Sequence, residues 1–284
     1  MPRMNVRGVS LNYKIIGDKG PWVALTPGGH RGMEGVLSLA EKISTAGYRV
    51  LIHDRRNCGQ SDMAFDDSQS EFDTWADDLH AMMTELNALP AHIGGSSSGC
   101  RLSLRFALKY PHAVRSLLLW RITGGQFAVN RLSEEYYGKY LAAAENGGMA
   151  EVCYTGHYME QCALRPENRA TLMATDAKHF ISTMHVWRAA FLQSAKSPVI
   201  GATESQLKAI TVPTCIVPGN DNTHPLIVGE DLHRILGRIS ELHVMYPEHQ
   251  DVDLIPGEEW LPREGEMAVI FTAFLMRVGT KIQT

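Results

Sequence analysis

The apolar and polar positions of this chain open with two alternating runs between Met4 and Ile16, turning at Arg7-Gly8, and then settle into a repeating unit. Short apolar, β-branched runs suited to strands buried on both faces alternate with longer stretches of helical period. Trp22 to Thr26, Arg49 to His53, Ala91 to Gly94 and Ser116 to Trp120 read as strands. Met33 to Ala46, Phe72 to Leu89 and Cys100 to Tyr110 read as the helices between them, with Pro111 just beyond the last as a helix stop. Parallel strands joined by crossover helices bury such a pattern, so the fold class is α/β.

The alternation stops between Gln126 and Ala202, where helical punctuation takes over. A segment opened by Ser133-Glu134-Glu135 closes at Asn146-Gly147-Gly148. A second helix is predicted from Met149 to Leu164, a third starts at Pro166, and a fourth is capped by Asp176 and ends before Pro198. Phe180, Met184, Trp187 and Phe191 share one face of the fourth, a stripe read as ordinary packing. The alternation then resumes. A capping box, Thr203-Glu204-Ser205-Gln206, precedes a short helix. Val212 to Val217 and Leu242 to Tyr246 are strands, Gly229 to Leu236 is a helix, and Trp260 to Val278 closes the chain as a helix. The expected organisation is a core domain of residues 1–125 and 203–284, interrupted by a helical insertion at 126–202.

Composition narrows the class rather than the chemistry. The 284 residues are enough for a large α/β domain with an insertion. With 27 Lys+Arg against 31 Asp+Glu the net charge is −4, which gives no global attraction to nucleic acid or an anionic membrane. Apolar stretches such as Ala268 to Met276 fall short of the roughly 18 residues that a membrane span requires. The N-terminus shows no secretory signal, and five scattered cysteines without a C-x-x-C pair read as buried thiols of a reducing cytoplasm. No H-E-x-x-H or comparable cluster suggests a metal. The expected partner is a small molecule; charge and pattern say nothing of the oligomeric state.

Gly95-Ser96-Ser97-Ser98-Gly99 carries the sharpest chemical signal. This G-x-S-x-G follows a strand and opens a helix, so a tight turn would raise Ser97 above the sheet beside a helix N-terminus. A serine hydroxyl needs a base to take its proton and an acid to orient that base. Two later loops leave strand ends where an open α/β sheet binds its ligands. One reads Pro218-Gly219-Asn220-Asp221-Asn222-Thr223-His224-Pro225, and the other reads Pro247-Glu248-His249. In the order Ser…Asp…His, Asp221 is the expected acid and His249 the expected base, ahead of His243 in the last strand.

On these residues the chain resembles the α/β-hydrolase-fold superfamily, in its serine-nucleophile branch with a helical cap. Leu25-Thr26-Pro27-Gly28-Gly29-His30 is similar to that family's oxyanion loop, and Asp54-Arg55-Arg56-Asn57-Cys58-Gly59-Gln60-Ser61-Asp62 to its D-x-R-G-x-G-x-S-D stretch. Phe106-Ala107-Leu108-Lys109-Tyr110-Pro111 and Ile210-Thr211-Val212-Pro213-Thr214 match further segments. The resemblance implies an eight-stranded, mostly parallel sheet with helices on both faces and the cap inserted after strand six. It also implies an oxyanion hole from the N–H groups of His30 and Ser98, with the His30 side chain either entering the pocket or bracing the loop. Three departures are visible: Gly28-Gly29 where His-Gly is common, Asp221 one place early in the acid loop, and Glu248 before His249.

The implied activity is hydrolysis of a small carbonyl substrate (an ester, lactone, amide or the C–C bond of a diketo acid) without metal or organic cofactor. The alternative is a receptor that binds a small molecule on the same fold without turnover. Gly29, Arg121, Trp187 and Arg188 are candidate substrate contacts, with Phe127, Tyr136, Tyr137, His157 and Tyr158 as further contributors from the insertion. Arg121 and Arg188 either face a carboxylate of the substrate or pair with neighbouring acids.

Overall fold

The computed structural model describes residues 2–281. Among these, eight strands form one sheet: β1 (Arg3–Val6), β2 (Val9–Ile16), β3 (Trp22–Thr26), β4 (Arg49–His53), β5 (Ala91–Ser96), β6 (Val114–Trp120), β7 (Thr214–Val217) and β8 (Ser240–Leu242), in the order β1-β2-β4-β3-β5-β6-β7-β8. The β1–β2 and β2–β4 pairs are antiparallel, and all the later pairs are parallel. This is the α/β-hydrolase fold.

Period-two alternation along each strand sends side chains to opposite faces and divides the core. In β6, Leu117 and Leu119 join one apolar cluster with Trp75, Leu79 and Phe106; Leu118 and Trp120 join another with Leu39, Ile43, Phe271 and Phe274. The first cluster is covered by α2 (Glu71–Glu85) and α3 (Ser98–Lys109), and the second by α1 (Leu37–Thr45) and α11 (Glu264–Lys281). Between β6 and β7 come α4 (Gly125–Ser133), α5 (Lys139–Val152), α6 (Gly156–Leu164), α7 (Pro166–Ala174), α8 (Ala177–Leu192) and the short α9 (Glu204–Lys208). Helix α10 (Leu226–Leu236) joins β7 to β8. The capping box of Thr203 and Gln206 forms at α9.

The local differences from the sequence expectation have local causes. Asn146-Gly147-Gly148 interrupts the helical backbone as expected: Gly148 (φ 64°, ψ −163°) is non-helical and divides the α5 span into two helical stretches, and a second break at Cys153–Thr155 interrupts the stretch expected to run on to Leu164. A positive φ of this kind is open chiefly to glycine. The final strand stops at Leu242, and a 3₁₀ turn at Gly257–Arg263 holds Pro262 ahead of α11. No helix among the described residues is long and apolar enough to cross a membrane.

Candidate active site

The turn from β5 into α3 holds Ser97 at φ 51°, ψ −107°, a conformation that costs a non-glycine residue on the order of 1–3 kcal/mol. The surroundings enforce it. Ser97 N–H donates to Trp120 O at 3.1 Å, tying the elbow to β6. Glycines at 95 and 99 let the chain cross itself: a Cβ on Gly95 would stand 2.4 Å from the Gly99 carbon, and one on Gly99 would stand 2.3 Å from Thr26 O. Cys100 and Arg101 N–H both return to Ser97 O, so the Ser98 N–H lies in the first turn of α3 without an intrahelical acceptor.

The structure brings three side chains together around this elbow. His224 Nε2 lies 3.0 Å from Ser97 Oγ, and His224 Nδ1 lies 2.9 and 3.1 Å from the two carboxylate oxygens of Asp221. All three residues are buried. The Nδ1 partner is acceptor-only when ionised, so Nδ1 carries the hydrogen and Nε2 is left to accept from Ser97.

Local chain chemistry explains why acid and imidazole meet. Asp221 Oδ1 accepts the N–H groups of Thr223 at 3.0 Å and His224 at 2.7 Å, an Asx-type turn that folds the loop back on its own carboxylate. Gly219 permits the fold, since a Cβ there would stand 2.4 Å from His224 Cβ. Asp221 Oδ2 accepts the N–H of Ile255 at 3.0 Å and has Arg121 Nη2 at 3.6 Å. Burial pushes the Asp221 carboxyl up, but the hydrogen bond and charge of His224 and the N–H groups outweigh it and hold the carboxyl low, at about 2. Burial pushes His224 down to about 4, against the opposing hydrogen bond from Asp221 and with the nearby charge of Arg121. The resting pair at neutral pH is therefore carboxylate and neutral imidazole.

His249, the base expected from sequence, does not reach Ser97. It is exposed, with Nε2 3.0 Å from Asn222 Oδ1. The loop after β8 supplies backbone instead. Asn220 Nδ2 donates to Glu248 O, Gln250 N–H to Asn220 O, and Thr223 Oγ1 to Asp253 O. These bonds spread the loop across the acid loop and turn His249 outward. The signal that would have found His224 was present in the sequence: an Asp and a His three apart in one turn-rich loop after a strand. Order along the chain concealed it, because His249 also follows Asp221.

A cavity of about 140 Å³ opens against Ser97 and His224, lined on the loop side by Gly28 and Gly29; neither His30 nor Ser98 is among its lining residues. A Cβ on Gly28 would stand 3.2 Å from Ser97 Cβ, so this loop passes directly beside the nucleophile position. The His30 ring is turned aside, 3.2 Å from Glu71 Oε2 and packed against Trp75, Tyr136 and His157. Behind the loop, buried Arg55 donates to Gly29 O at 2.6 Å and to Ser98 Oγ at 2.8 Å, while Ser98 Oγ donates to Gly29 O at 2.7 Å. One guanidinium thus fixes the loop and the elbow to each other. Its face lies over Trp75, 4.2 Å from the ring centroid.

Among the remaining candidates, Gly29, Arg121 and Tyr136 line the cavity. Trp187 does not: its indole N–H donates to Asp66 O and Gln69 O, both at 3.1 Å, inside the packed stripe. Arg188 pairs with Glu134 at 2.9 Å, away from the cavity. The structure adds lining residues that sequence reasoning did not single out, chiefly Arg131, Leu132, Ile255 and Trp260. No group of three or more potential metal ligands occurs among the described residues.

Comparison with known proteins agrees with this architecture. The family model described as alpha/beta hydrolase fold matches residues 21–145. A proline iminopeptidase of Lactiplantibacillus plantarum is 24% identical over 97% of both chains. An uncharacterized hydrolase of Bacillus subtilis is 27% identical over 40% of this chain and 42% of its own length. Among solved structures, a meta-cleavage product hydrolase from Pseudomonas fluorescens IP01 superposes with a TM-score of 0.67 at 18% identity, covering 98% of each chain. The enol-lactonase from Burkholderia xenovorans LB400 gives 0.63 at 18% identity, covering 97% of this chain and 100% of its own.

Proposed function

We propose that this hydrolase of the α/β-hydrolase fold cleaves a small acyl substrate with Ser97 as nucleophile, His224 as general base and Asp221 as the orienting acid. The observation that carries this reading is the continuous path from Ser97 Oγ through the His224 ring to the Asp221 carboxylate.

In the proposed sequence, His224 Nε2 takes the Ser97 proton as Oγ attacks the substrate carbonyl. The new oxyanion is held by the Ser98 N–H and a glycine N–H of the Gly28-Gly29 loop, with Arg55 fixing the two donors behind it. The imidazolium, stabilised by Asp221, returns its proton to the departing group as the C–O or C–N bond breaks. Water then attacks the acyl-serine, gives a proton to His224, and releases the acid while Ser97 regains its hydrogen. The helical segment after β6 acts as a cap, contributing Arg131, Leu132 and Tyr136 to the cavity wall.

The test compares four proteins on p-nitrophenyl butyrate and on a fluorophosphonate probe. Ser97→Ala and His224→Ala should each lower kcat by at least about 10³-fold, and Ser97→Ala should abolish labelling. His249→Ala should retain turnover within about threefold. Loss of activity in His249→Ala with retention in His224→Ala would return the base to the loop after β8. A native-like protein that neither labels nor turns over any acyl ester would favour the binding-protein reading.

A further inference from the structure

Three arginines border the Ser97 cavity: Arg31, Arg121 and Arg131. Two are engaged. Arg31 pairs with exposed Glu258 at 2.8 Å. Arg121 donates to Ile255 O and stands 3.6 Å from Asp221, yet its buried Nε has no hydrogen-bond partner. Arg31 and Arg121 also crowd the same point: a Cβ on Gly257 would stand 3.0 Å from Nη1 of the first and 3.5 Å from Nη1 of the second.

Arg131 differs from both. It lines the cavity from α4, is half-buried, and its side chain has no hydrogen bond, ion pair or ring contact among the described residues. The one acidic side chain bordering the cavity is Glu264, and its carboxylate is taken by Lys42 at 2.7 Å and Ser38 at 2.6 Å. Of the three cationic side chains at the cavity, Arg131 is thus the one without a protein counter-ion among the described residues. A partly desolvated guanidinium is stabilised most by a planar oxyanion that its fork can hold through two bonds.

Resting on the serine-hydrolase reading, we propose that the cavity selects acyl substrates bearing a carboxylate a few atoms from the scissile carbonyl, with Arg131 as its counter-ion and Arg121 as a second donor. The free space beside Ser97, about 140 Å³, has room for a short acyl chain. A hemiester of a four- to six-carbon dicarboxylic acid is the chemical class that fits. Arg131 acts on specificity and not on the reacting atoms.

Monoethyl glutarate and ethyl pentanoate differ chiefly in whether the far end of the acyl chain is a carboxylate or a methyl group. Proton release would be followed in a pH-stat, and the quantity read is the ratio of kcat/KM for the two esters. In the unaltered protein the ratio should exceed tenfold. In Arg131→Gln it should fall at least tenfold, mainly through KM of the hemiester; Arg131→Lys should recover part of it, and Arg131→Glu should invert the preference. A ratio at or below one in the unaltered protein, or one that Arg131→Gln leaves unchanged, overturns the proposal while ethyl pentanoate turnover still upholds the hydrolase reading. A second arm needs no turnover. Calorimetric titration of glutarate into Ser97→Ala should show binding that the added Arg131→Gln removes; absence of binding to Ser97→Ala counts against the carboxylate site. Matched thermal melts confirm that the variants are folded.

Discussion

A buried imidazole that touches both a hydroxyl and a carboxylate has its protonation state set by what surrounds it. Burial lowers His224 to about 4, with the hydrogen bond to Asp221 only partly opposing it. A protonated ring cannot take the Ser97 proton, so activity should be lost as pH falls through that ionisation and stay level across neutrality. The pH profile of kcat/KM on a neutral ester should show its acid limb below about 5.5, against about 6.5 for an ordinary histidine; a limb at 6.5 or above would contradict the environment described for His224. Stability should follow the same direction. Folded His224 and Asp221 both bind protons less readily than their unfolded counterparts, so the folded state loses stability as pH falls through the acid range. Denaturant midpoints at pH 7 and pH 4 would measure it, and His224→Ala should reduce the difference, leaving the part that buried His53, His92 and His157 contribute in the same direction. At this scale Ser97 and Asp221 were legible in the sequence, one from its motif and the other from its place after a strand. His224 was not, because which of two histidines turns inward depends on the Asx turn and on the hydrogen bonds that spread the β8 loop outward.

Elements deliver these residues, and the loop after β7 is the most exacting of them. Gly219 has no room for a methyl group, with His224 Cβ 2.4 Å and His224 O 2.5 Å from where it would sit. Gly219→Ala should therefore push His224 off line, lowering kcat about 10–100-fold at little cost to secondary structure. Circular dichroism alongside kinetics would check it, and unchanged kcat would show that the loop can yield without moving the ring. The central strands were readable because their apolar runs are buried on both faces, as β5 and β6 are, whereas the short, half-buried β8 lies at Ser240–Leu242, ahead of the run that was expected to form it. Helix ends in the inserted segment were less so. The break at Gly148 follows its glycine pair, but the second, at Cys153–Thr155, lies inside a stretch whose helical punctuation runs on to Leu164.

Across the whole molecule, the two apolar clusters on either face of the sheet carry the fold. Phe274, 2% exposed on α11, sits in the cluster opposite the one covered by α3. Phe274→Ala should lower unfolding stability by about 3–5 kcal/mol, read as a shifted denaturant midpoint. Because Phe274 itself does not line the Ser97 cavity, the folded variant should keep its kcat at low temperature. A loss under about 1 kcal/mol would mean the surrounding side chains collapse into the space. The α/β class and the strand sequence were legible at this scale, since alternation of strand and helix is a property of long stretches. The cavity was legible only in part: Gly29, Arg121 and Tyr136 were named, but Arg131 on α4 and Ile255 and Trp260 ahead of α11 come from segments with no shared pattern.

Placing Asp221 and His224 three residues apart on a single folded loop has a mechanical consequence. The acid and the imidazole form one rigid piece, so their mutual alignment cannot drift as the sheet breathes. Only one joint, between that piece and the Ser97 elbow, has to be held in tolerance. The segment after β8 is left free of reactive side chains and needs only to keep its backbone bonds. It can therefore accept changes of side chain, as at His249, that would be fatal in an arrangement where three separate loops must converge.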